Sequence, residues 1–323
     1  MRIAFLGSGE FGLPTLRALA GRHDVAGVFT QPARPAGRGG KLRPTPVHEL
    51  ADELGLPVAE MEDVNSGANV FVLSRLNAEA IVVVDFGQMI GPDVLAATRL
   101  GAYNLHGSLL PALRGAAPVN WAILRGCKTT GVTAFRVVKR MDAGDIFVQR
   151  ETPISIDETA EELRARLSEL GVETVLETIE LLAAGRTAGR PQDESQATKA
   201  PKLSKADGRI EFAAPAEEVR NRIHGCWPWP GGQARYVGAD GSTTSGSPPS
   251  GKTADVILAR ARAHETDADA PPGTVLDDLA VATGRGRLEI VEIKPAGGRR
   301  MGWRDFVNGH RVKPGARLEA PPQ

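Results

Sequence analysis

Residues 2–12 have the sequence RIAFLGSGEFG, in which a short apolar run leads directly into a glycine-rich turn. Such a run is typical of a strand that is buried on both faces of a parallel sheet. Leu13, Leu16 and Leu19 follow at helical spacing, and Pro14 stands near the predicted start of the helix. The stretch therefore predicts the opening strand–turn–helix unit of a doubly wound α/β sheet.

The alternation of strands and helices continues to about residue 184. Short apolar runs predict further strands at residues 25–29, 57–58, 80–85, 102–105, 132–138 and 146–149. A long amphipathic helix is predicted over residues 158–184, because leucines recur along one of its faces. We therefore expect residues 1–184 to form one domain of the α/β class with a doubly wound sheet.

A different pattern begins after residue 184. Residues 185–208 are polar and contain glycine and lysine, which is typical of a linker. Short strand candidates separated by glycine and proline dominate residues 209–318, so a small β-barrel or sandwich is predicted there. These candidates lie at residues 209–212, 232–236, 256–259, 273–276 and 288–293. Residues 238–254 are of low complexity, and the sequence indicates no role for the insertion at 238–270.

The bulk composition also favours two domains. The chain has 323 residues, and single hydrophobic cores rarely keep growing beyond about 250–300 residues. Its two cysteines, Cys127 and Cys226, stand far apart, so neither a metal cluster nor a disulfide framework is predicted. A reduced, cytoplasmic compartment is expected for this reason. The longest strongly apolar run, residues 80–84, is too short to cross a membrane.

The charges are unevenly distributed along a chain whose formal net charge is zero. Residues 31–48 contain Arg34, Arg38, Lys41 and Arg43 and no acidic residue. The segment 285–317 contains nine Lys or Arg residues against three acidic ones. A neutral average argues against a nucleic-acid partner, but the distribution of charge is more informative than the sum. Residues 31–46, which are rich in proline and glycine, predict a long loop that is functional or mobile.

The glycine-rich turn matches the GxGxxG pattern of dinucleotide-binding proteins at residues 7–12. That pattern also requires an acidic residue at the end of the second strand, where this chain has Thr30 and Gln31. An NADP-binding variant could use Arg34 or Arg38 in its place. The alternative is that the glycines permit a tight turn and close packing of the helix.

The most informative stretch for chemistry is residues 101–118, GAYNLHGSLLPALRGAAP. Asn104 and His106 stand two residues apart near the end of a predicted strand, so their side chains point to the same side. The carboxyl ends of strands are where open α/β sheets bind ligands. An amide can stabilise a developing oxyanion, and an imidazole can move a proton near neutral pH. The alternative is a capping Asn beside a structural His.

A carboxylate follows in the segment MDAGD at residues 141–145, which predicts a turn between two strands. Asp142 could orient the ring of His106 and favour its protonated form. One or both aspartates of the segment could instead only shape the turn. The spacing alone leaves both interpretations open.

These motifs resemble those of the 10-formyltetrahydrofolate-dependent formyltransferases: N-x-H-G-S-L-L-P, then R-G-x-x-P, then D-x-G-D. Further segments resemble the members of that family that act on methionyl-tRNA. They are the basic stretch at 29–47, KLSK at 202–205, WPWP at 227–230 and PAGG with a later Met at 295–301. The resemblance covers nearly the whole chain apart from the insertion at 238–270.

The resemblance implies a Rossmann-like catalytic domain followed by an OB-like domain that binds tRNA. It implies that Asn104, His106 and Asp142 are catalytic, and it assigns further positions to the two substrates. The folate-contacting positions would be Ser108, Leu109, Leu110 and Pro111, and the tRNA-contacting positions Arg34, Arg38, Lys41 and Arg43. The implied reaction transfers the formyl group of 10-formyltetrahydrofolate to the amine of methionyl-tRNA for translation initiation. No metal and no membrane partner are implied, and a monomer is expected.

Three alternatives remain at this stage. A formyltransferase acting on a nucleotide-linked amino sugar would share the three catalytic residues, although the basic loop and the second domain argue against it. An NADP-dependent reductase would use the glycine-rich turn. A catalytically inert RNA-binding protein would have no need of the intact Asn, His and Asp.

Overall fold

The structure, a computed structural model, describes residues 1–36, 40–239 and 253–322. The chain divides into two compact units. The first unit comprises Met1–Pro118, Thr129–Pro153 and Arg164–Pro201, and the second comprises Val119–Lys128, Ile154–Leu163 and Lys202–Gln323. Among the described residues, no helix is long and apolar enough to cross a membrane.

The strands are numbered in chain order. They are β1 Arg2–Gly7, β2 Asp24–Thr30, β3 Arg34–Ala36, β4 Lys41–Arg43, β5 Val58–Glu60, β6 Ala80–Val84, β7 Ala102–His106, β8 Thr129–Arg136, β9 Ile146–Pro153, β10 Gly232–Val237, β11 Thr253–His264, β12 Val281–Ala282, β13 Arg287–Pro295, β14 Met301–Gly302 and β15 Arg317–Glu319. The α-helices are α1 Leu13–Arg22, α2 Pro46–Glu53, α3 Gly67–Arg75, α4 Pro92–Leu95, α5 Pro118–Leu124, α6 Ala160–Ala183, α7 Ala216–Cys226 and α8 Trp303–His310.

The first unit is built on a seven-stranded sheet with the order β5-β2-β1-β6-β7-β8-β9. The strands from β5 to β7 run parallel, and their central members are the apolar runs that the sequence predicts. All five residues of β6 are buried, as expected for a strand covered on both faces. The α/β class is therefore confirmed, and α6 agrees closely with the helix predicted over residues 158–184.

Strand β8 makes the sheet mixed, whereas the doubly wound pattern leads one to expect parallel strands. Strand β8 pairs antiparallel with both β7 and β9. Residues 137–145 join β8 to β9, and this connection is too short for the crossover helix that a parallel pair would need. The antiparallel hairpin places Asp142 in the loop between the two strands.

The basic segment is more ordered than the predicted long loop. Strands β3 and β4 form a two-stranded antiparallel sheet in which Arg34 lies opposite Arg43. Three-residue strands in which the described side chains are exposed show no apolar alternation, which explains why the sequence pattern did not reveal them. Arg38 lies outside the described residues.

The second unit contains an antiparallel, near-barrel sheet with the order β12-β13-β11-β10-β15, and β14 pairs with β13. Its core gathers Ile223, Tyr236, Leu258, Ile293 and Phe306, among other buried residues. The predicted small β-structure is therefore confirmed. Most of the low-complexity stretch at 238–254 lies outside the described residues.

Several local details of the second unit differ from the prediction. The predicted strands at 209–212 and 273–276 are only isolated bridges, and two helices, α7 and α8, were not expected. Tertiary packing explains α7, because its buried Val219 and Ile223 belong to the core although Asn221 and Gly225 are weak helix formers. Trp227 is buried and Trp229 is half exposed.

Candidate active site

Strand β7 presents two of the predicted catalytic side chains. It lies between β6 and β8, with Asn104 opposite Val83 on one side and Phe135 on the other. Asn104 is half-buried and His106, at the end of the strand, is buried. Among the described residues, the Asn104 amide has no hydrogen-bond partner. Since an amide usually finds a partner when it is buried in a protein, this one is available to a ligand.

The ring of His106 is fixed at one nitrogen and free at the other. Its Nε2 lies 2.9 Å from the carbonyl oxygen of Leu113, and because a carbonyl can only accept, Nε2 is the nitrogen that carries hydrogen. Nδ1 lies 3.9 Å from Oδ2 of Asp142. The neutral ring therefore has its lone pair at Nδ1, and a proton taken up there lies beside a carboxylate. This geometry suits a general base that becomes cationic during the reaction.

Asp142 is held in place by the R-G element of the sequence motif. Its Oδ2 accepts a hydrogen bond from the backbone N–H of Gly115 at 2.8 Å. Gly115 has a φ of +125°, and a Cβ atom there would lie 2.6 Å from the carbonyl oxygen of Ala200. Only glycine fits this position, so the backbone donor that orients the carboxylate depends on the residue type.

A second layer of polar contacts supports the Asp142 loop. The amide nitrogen of Gln192 donates to the carbonyl oxygens of Asp142 at 2.9 Å and of Gly144 at 2.7 Å. The buried Arg114 donates to Oε1 of Gln192 from Nε and Nη2, and it forms a two-pronged pair with Glu194 at 3.1 and 2.9 Å. Hydrogen bonding from Arg114, together with the nearby Arg114 and Arg140 charges, lowers the pKa of Glu194. This cluster connects the Asp142 loop to Arg114 through Gln192.

Arg114, Gln192 and Glu194 support the site, although local sequence patterns indicate no role for them. Gln192 and Glu194 fall inside the segment 185–208, whose composition is that of a linker. A signal was nevertheless present, since Arg114 belongs to the R-G-x-x-P element that follows the histidine. An Arg of that element, buried with its charge, needs an acidic partner somewhere in the fold.

The segment 108–111 is anchored through two of its four residues. Ser108 is fully buried and donates to the carbonyl oxygen of Ala112 at 2.7 Å. Leu110 is buried, and its backbone N–H donates to Oγ1 of Thr133 at 3.1 Å. Gln149 donates to the carbonyl oxygen of Leu110 at 3.0 Å.

The other two residues of that segment, Leu109 and Pro111, are half-buried. Leu109 lies over Gly131 of β8, where a Cβ atom would approach its side chain to 2.6 Å. The anchored residues thus hold two partly accessible apolar side chains in the segment that follows His106.

The glycine-rich turn packs against the end of β6. The backbone N–H groups of Ser8 and Gly9 donate to the carbonyl oxygen of Asp85 at 3.1 and 3.2 Å. A Cβ atom at Gly9 would lie 1.8 Å from the Asp85 carboxylate, and one at Gly7 would lie 2.8 Å from the carbonyl oxygen of Val84. Close packing therefore explains why these positions are glycine. The backbone N–H groups of Ser8 and Gly9 are also already engaged, whereas a bound phosphate would need such groups as donors.

The basic hairpin β3–β4 is an exposed, separate element. Arg34 donates to Gln31 at 2.6 Å, while Lys41, Leu42 and Arg43 are exposed. Within the described ranges, neither Lys41 nor Arg43 forms an ion pair, and no hydrogen bond or ion pair joins the hairpin to Asn104, His106 or Asp142. Like charges lie directly opposite each other at Arg34 and Arg43, which is unfavourable until an anion lies nearby.

The arrangement thus brings Asn104, His106 and Asp142 together with their supporting residues, and keeps the basic side chains on another element. The part of the chain that the structure describes contains no group of three or more His, Cys, Asp or Glu side chains that could hold a metal ion. The site offers an amide donor, a base and a carboxylate, which are the groups needed for acyl transfer to an amine.

Comparisons with known proteins agree with this chemistry. A family model described as formyl transferase matches residues 1–179, and one described as formyl transferase, C-terminal domain, matches residues 202–311. The chain is 40% identical to methionyl-tRNA formyltransferase of Solibacter usitatus, with 98% of each chain covered. It is 41% identical to the protein of the same name from Methylococcus capsulatus, over 97% of this chain and 98% of that one.

A solved structure shows the same fold. HypX from Aquifex aeolicus in complex with tetrahydrofolic acid superposes with a TM-score of 0.61 and is 19% identical over 96% of this chain. The chain spans about half of that protein, since the match covers 47% of it.

Proposed function

The chain belongs to the formyl transferase family, and from that premise we propose that Asn104, His106 and Asp142 carry out its formyl transfer. The protein formylates the amino group of methionyl-tRNA, the activity named for relatives that are 37–41% identical over nearly the whole chain. The product, formylmethionyl-tRNA, serves translation initiation. The formyl donor is a folate, specifically 10-formyltetrahydrofolate in our proposal.

The reaction begins with the unprotonated amine of the methionyl group. Its nitrogen attacks the formyl carbon bound to N10 of the folate, a carbon–nitrogen bond forms, and the carbonyl oxygen becomes an oxyanion. Asn104 donates a hydrogen bond to this oxygen, and losing one comparable donor elsewhere costs about 2.7–4 kcal/mol of transition-state stabilisation. The Asn104 amide is suited to this role because no described protein group uses it.

Proton transfer completes the step. The attacking nitrogen loses a proton to Nδ1 of His106, and the resulting imidazolium lies beside Asp142. The bond between the formyl carbon and N10 then breaks, and N10 takes the proton as tetrahydrofolate leaves. The amine and the donor are converted to the formamide and tetrahydrofolate, so atoms and charges balance without a covalent enzyme intermediate.

The single observation that carries this mechanism is the asymmetric setting of His106. Nε2 carries the hydrogen because it donates to the Leu113 carbonyl oxygen. The lone pair of the ring is therefore on Nδ1, which lies 3.9 Å from Oδ2 of Asp142. A histidine with a purely structural role has no need of a free lone pair beside a carboxylate.

We assign the two substrates to different elements. The partly accessible Leu109 and Pro111, held by the anchored Ser108 and Leu110, contact the folate. Arg34, Arg38, Lys41 and Arg43 contact the phosphates of the tRNA acceptor end. Support for the second assignment comes from Lys41 and Arg43, which have no ion-pair partner among the described residues and gain most from an anionic partner.

The two domains have separate roles in this proposal, one in catalysis and one in tRNA binding. Residues 1–184 form the catalytic domain, residues 185–208 the linker, and residues 209–318 the OB-like domain that contacts tRNA. The protein acts as a monomer in the cytoplasm, where aminoacylated tRNA is used.

The acceptor is tested by offering 10-formyltetrahydrofolate with methionyl-tRNA, uncharged tRNA or a nucleotide-linked amino sugar. Methionyl-tRNA alone should be formylated, because it alone combines a free α-amine with the tRNA phosphates. Formylation of the amino sugar and not of methionyl-tRNA would contradict the proposed acceptor and leave the proposed chemistry standing.

A further inference from the structure

A small cavity of about 170 Å³ lies within the second unit, and none of the residues assigned to catalysis lines it. One wall is the face of α7 that carries Arg220, Asn221 and His224. The residues 123–128 and 154–158 supply the rest of the lining. The three side chains from α7 are 6%, 7% and 1% exposed, so they are buried apart from the cavity itself.

Arg220 and Asn221 are only partly satisfied by protein groups. Nε and Nη2 of Arg220 donate to Oδ1 of Asn221 at 3.2 and 2.7 Å, and Nη2 also donates to Glu217 at 3.2 Å. Within the described residues, Nη1 of Arg220 and the amide nitrogen of Asn221 have no acceptor. Because the amide oxygen is used by the guanidinium, the groups left over are donors.

His224 adds a third donor. Its Nε2 accepts the backbone N–H of Ala261 at 3.1 Å, so the hydrogen of the neutral ring is on Nδ1. Burial, together with the charges of Arg220 and Arg260, lowers the pKa of His224 to about 4, so the ring is neutral at pH 7. Nδ1 has no acceptor in the described part of the chain.

The carboxylates around the cavity are already engaged. Glu217 pairs with Lys128 at 3.2 Å as well as with Arg220. Glu158 accepts the backbone N–H of Ser155 at 3.2 Å. Asp157, which acts on His224, pairs with Arg262 at 3.3 Å. The cavity therefore presents three buried donors from one helix face and needs a ligand that only accepts.

We propose that this cavity binds a small oxyanion, a phosphate or a carboxylate group, through Arg220 Nη1, the Asn221 amide and His224 Nδ1–H. Oxyanions offer several acceptor lone pairs and no competing donor, and a guanidinium matches their planar geometry. The cavity of about 170 Å³ has room for one such group. Lys128, which is paired with Glu217, is exposed and also lines the cavity.

The variant that tests the proposal is Asn221→Asp. It keeps an oxygen for Arg220 to donate to, replaces the amide donor with an oxygen, and places a like charge beside the ligand. Arg222→Gln is the matched control, because it changes the net charge equally from a neighbouring position on α7 that does not line the cavity.

Binding is measured by titration calorimetry of the full chain with inorganic phosphate and with acetate, at constant ionic strength set by chloride. We expect one site for at least one of the two anions, binding at least about tenfold weaker in Asn221→Asp and unchanged in Arg222→Gln. Binding of acetate but not phosphate would assign the site to carboxylates. Equal binding by both variants, or no binding of either anion to the wild-type protein, would overturn the proposal.

A second measurement does not depend on any variant. The ring nitrogens of His224 are followed by nuclear magnetic resonance while the bound anion is added to the wild-type protein. We expect the Nδ1 resonance to shift and saturate with the same affinity as in calorimetry. An Nδ1 resonance that stays constant at saturating anion would contradict the assigned donors.

Discussion

The proposed catalytic cluster of Asn104, His106 and Asp142 and the basic hairpin β3–β4 differ in how their polar side chains are held. In the cluster, His106 is buried, and the Asp142 beside it is held by Gly115 and, through Gln192, by Arg114. In the hairpin, Lys41 and Arg43 are exposed and unpaired within the described residues. Contacts within the protein hold the side chains of the cluster in place. The charges of Lys41 and Arg43, in contrast, remain available to a binding partner.

This difference separates the effects expected from substitutions. Changes in the cluster should lower kcat and leave the affinity for tRNA unchanged. Changes in the hairpin should weaken tRNA binding in a salt-dependent way and leave the chemical step intact. If substitutions in the cluster and in the hairpin altered the same kinetic constant, the two regions would not have the separate roles proposed for them.

The largest effect is expected from Asp142→Asn, because it removes the charge beside His106 and keeps an oxygen for the Gly115 N–H. Two unit charges about 4 Å apart interact by about 4 kcal/mol at an effective dielectric constant of about 20, so kcat should fall by up to about 10³-fold. Asp145→Asn, in the same loop, is the matched control and should retain its rate. Steady-state formylation assays check this, and equal losses in both variants would assign Asp142 to the turn alone.

Asn104→Ala should lower kcat by about 10²–10³-fold, since it deletes the donor assigned to the oxyanion. The affinity for both substrates should change little, because the amide acts on charge that develops only in the transition state. Measuring kcat and KM separately decides the point. A raised KM with a normal kcat would show that the amide binds the ground state instead.

Gln192→Leu should lower kcat by roughly 10- to 100-fold, because a displacement of about 1 Å in a reacting group can cost that much. The substitution leaves the carbonyl oxygens of Asp142 and Gly144 without their donor. Gln196→Leu, an exposed position in the same segment, is the control. A lower thermal stability with an unchanged kcat would show that Gln192 has only a structural role.

The smallest effect is expected from Arg43→Ala. One exposed ion pair contributes about 0.2–1 kcal/mol, so KM for methionyl-tRNA should rise by up to about fivefold. The slope of log Kd against log salt should also decrease by roughly one phosphate contact. The rate at saturating tRNA should be unchanged. If neither the substitution nor salt changed tRNA binding, the hairpin would not be part of the tRNA interface.

The two regions also differ in how far the sequence predicts them. Asn104 and His106 are predictable because strand periodicity and the end of a parallel strand fix where their side chains point. The mixed sheet is harder to predict, since the apolar run of β8 does not indicate the direction of that strand relative to β7. The hairpin strands are too short and too exposed to leave a pattern in the sequence.

The supporting residues of the site were missed for a different physical reason. Gln192 stands 50 residues from Asp142 in the chain, and only the tertiary fold brings its amide to that loop. Its segment has the composition of a linker, because a chain that bridges backbone carbonyls needs polar groups and little apolar surface. Local sequence patterns therefore indicate the proposed reacting groups, and they do not indicate the residues that hold them in place.

The central claim is that the buried cluster transfers a formyl group to methionyl-tRNA through His106. Its most direct test is a single-turnover assay with 10-formyltetrahydrofolate and saturating methionyl-tRNA, comparing the wild-type protein with a folded His106→Ala variant. We predict rapid formation of formylmethionyl-tRNA by the wild type and a rate about 10²–10⁴-fold lower in the variant, with tRNA binding unchanged. An equal rate in the folded variant would contradict the account.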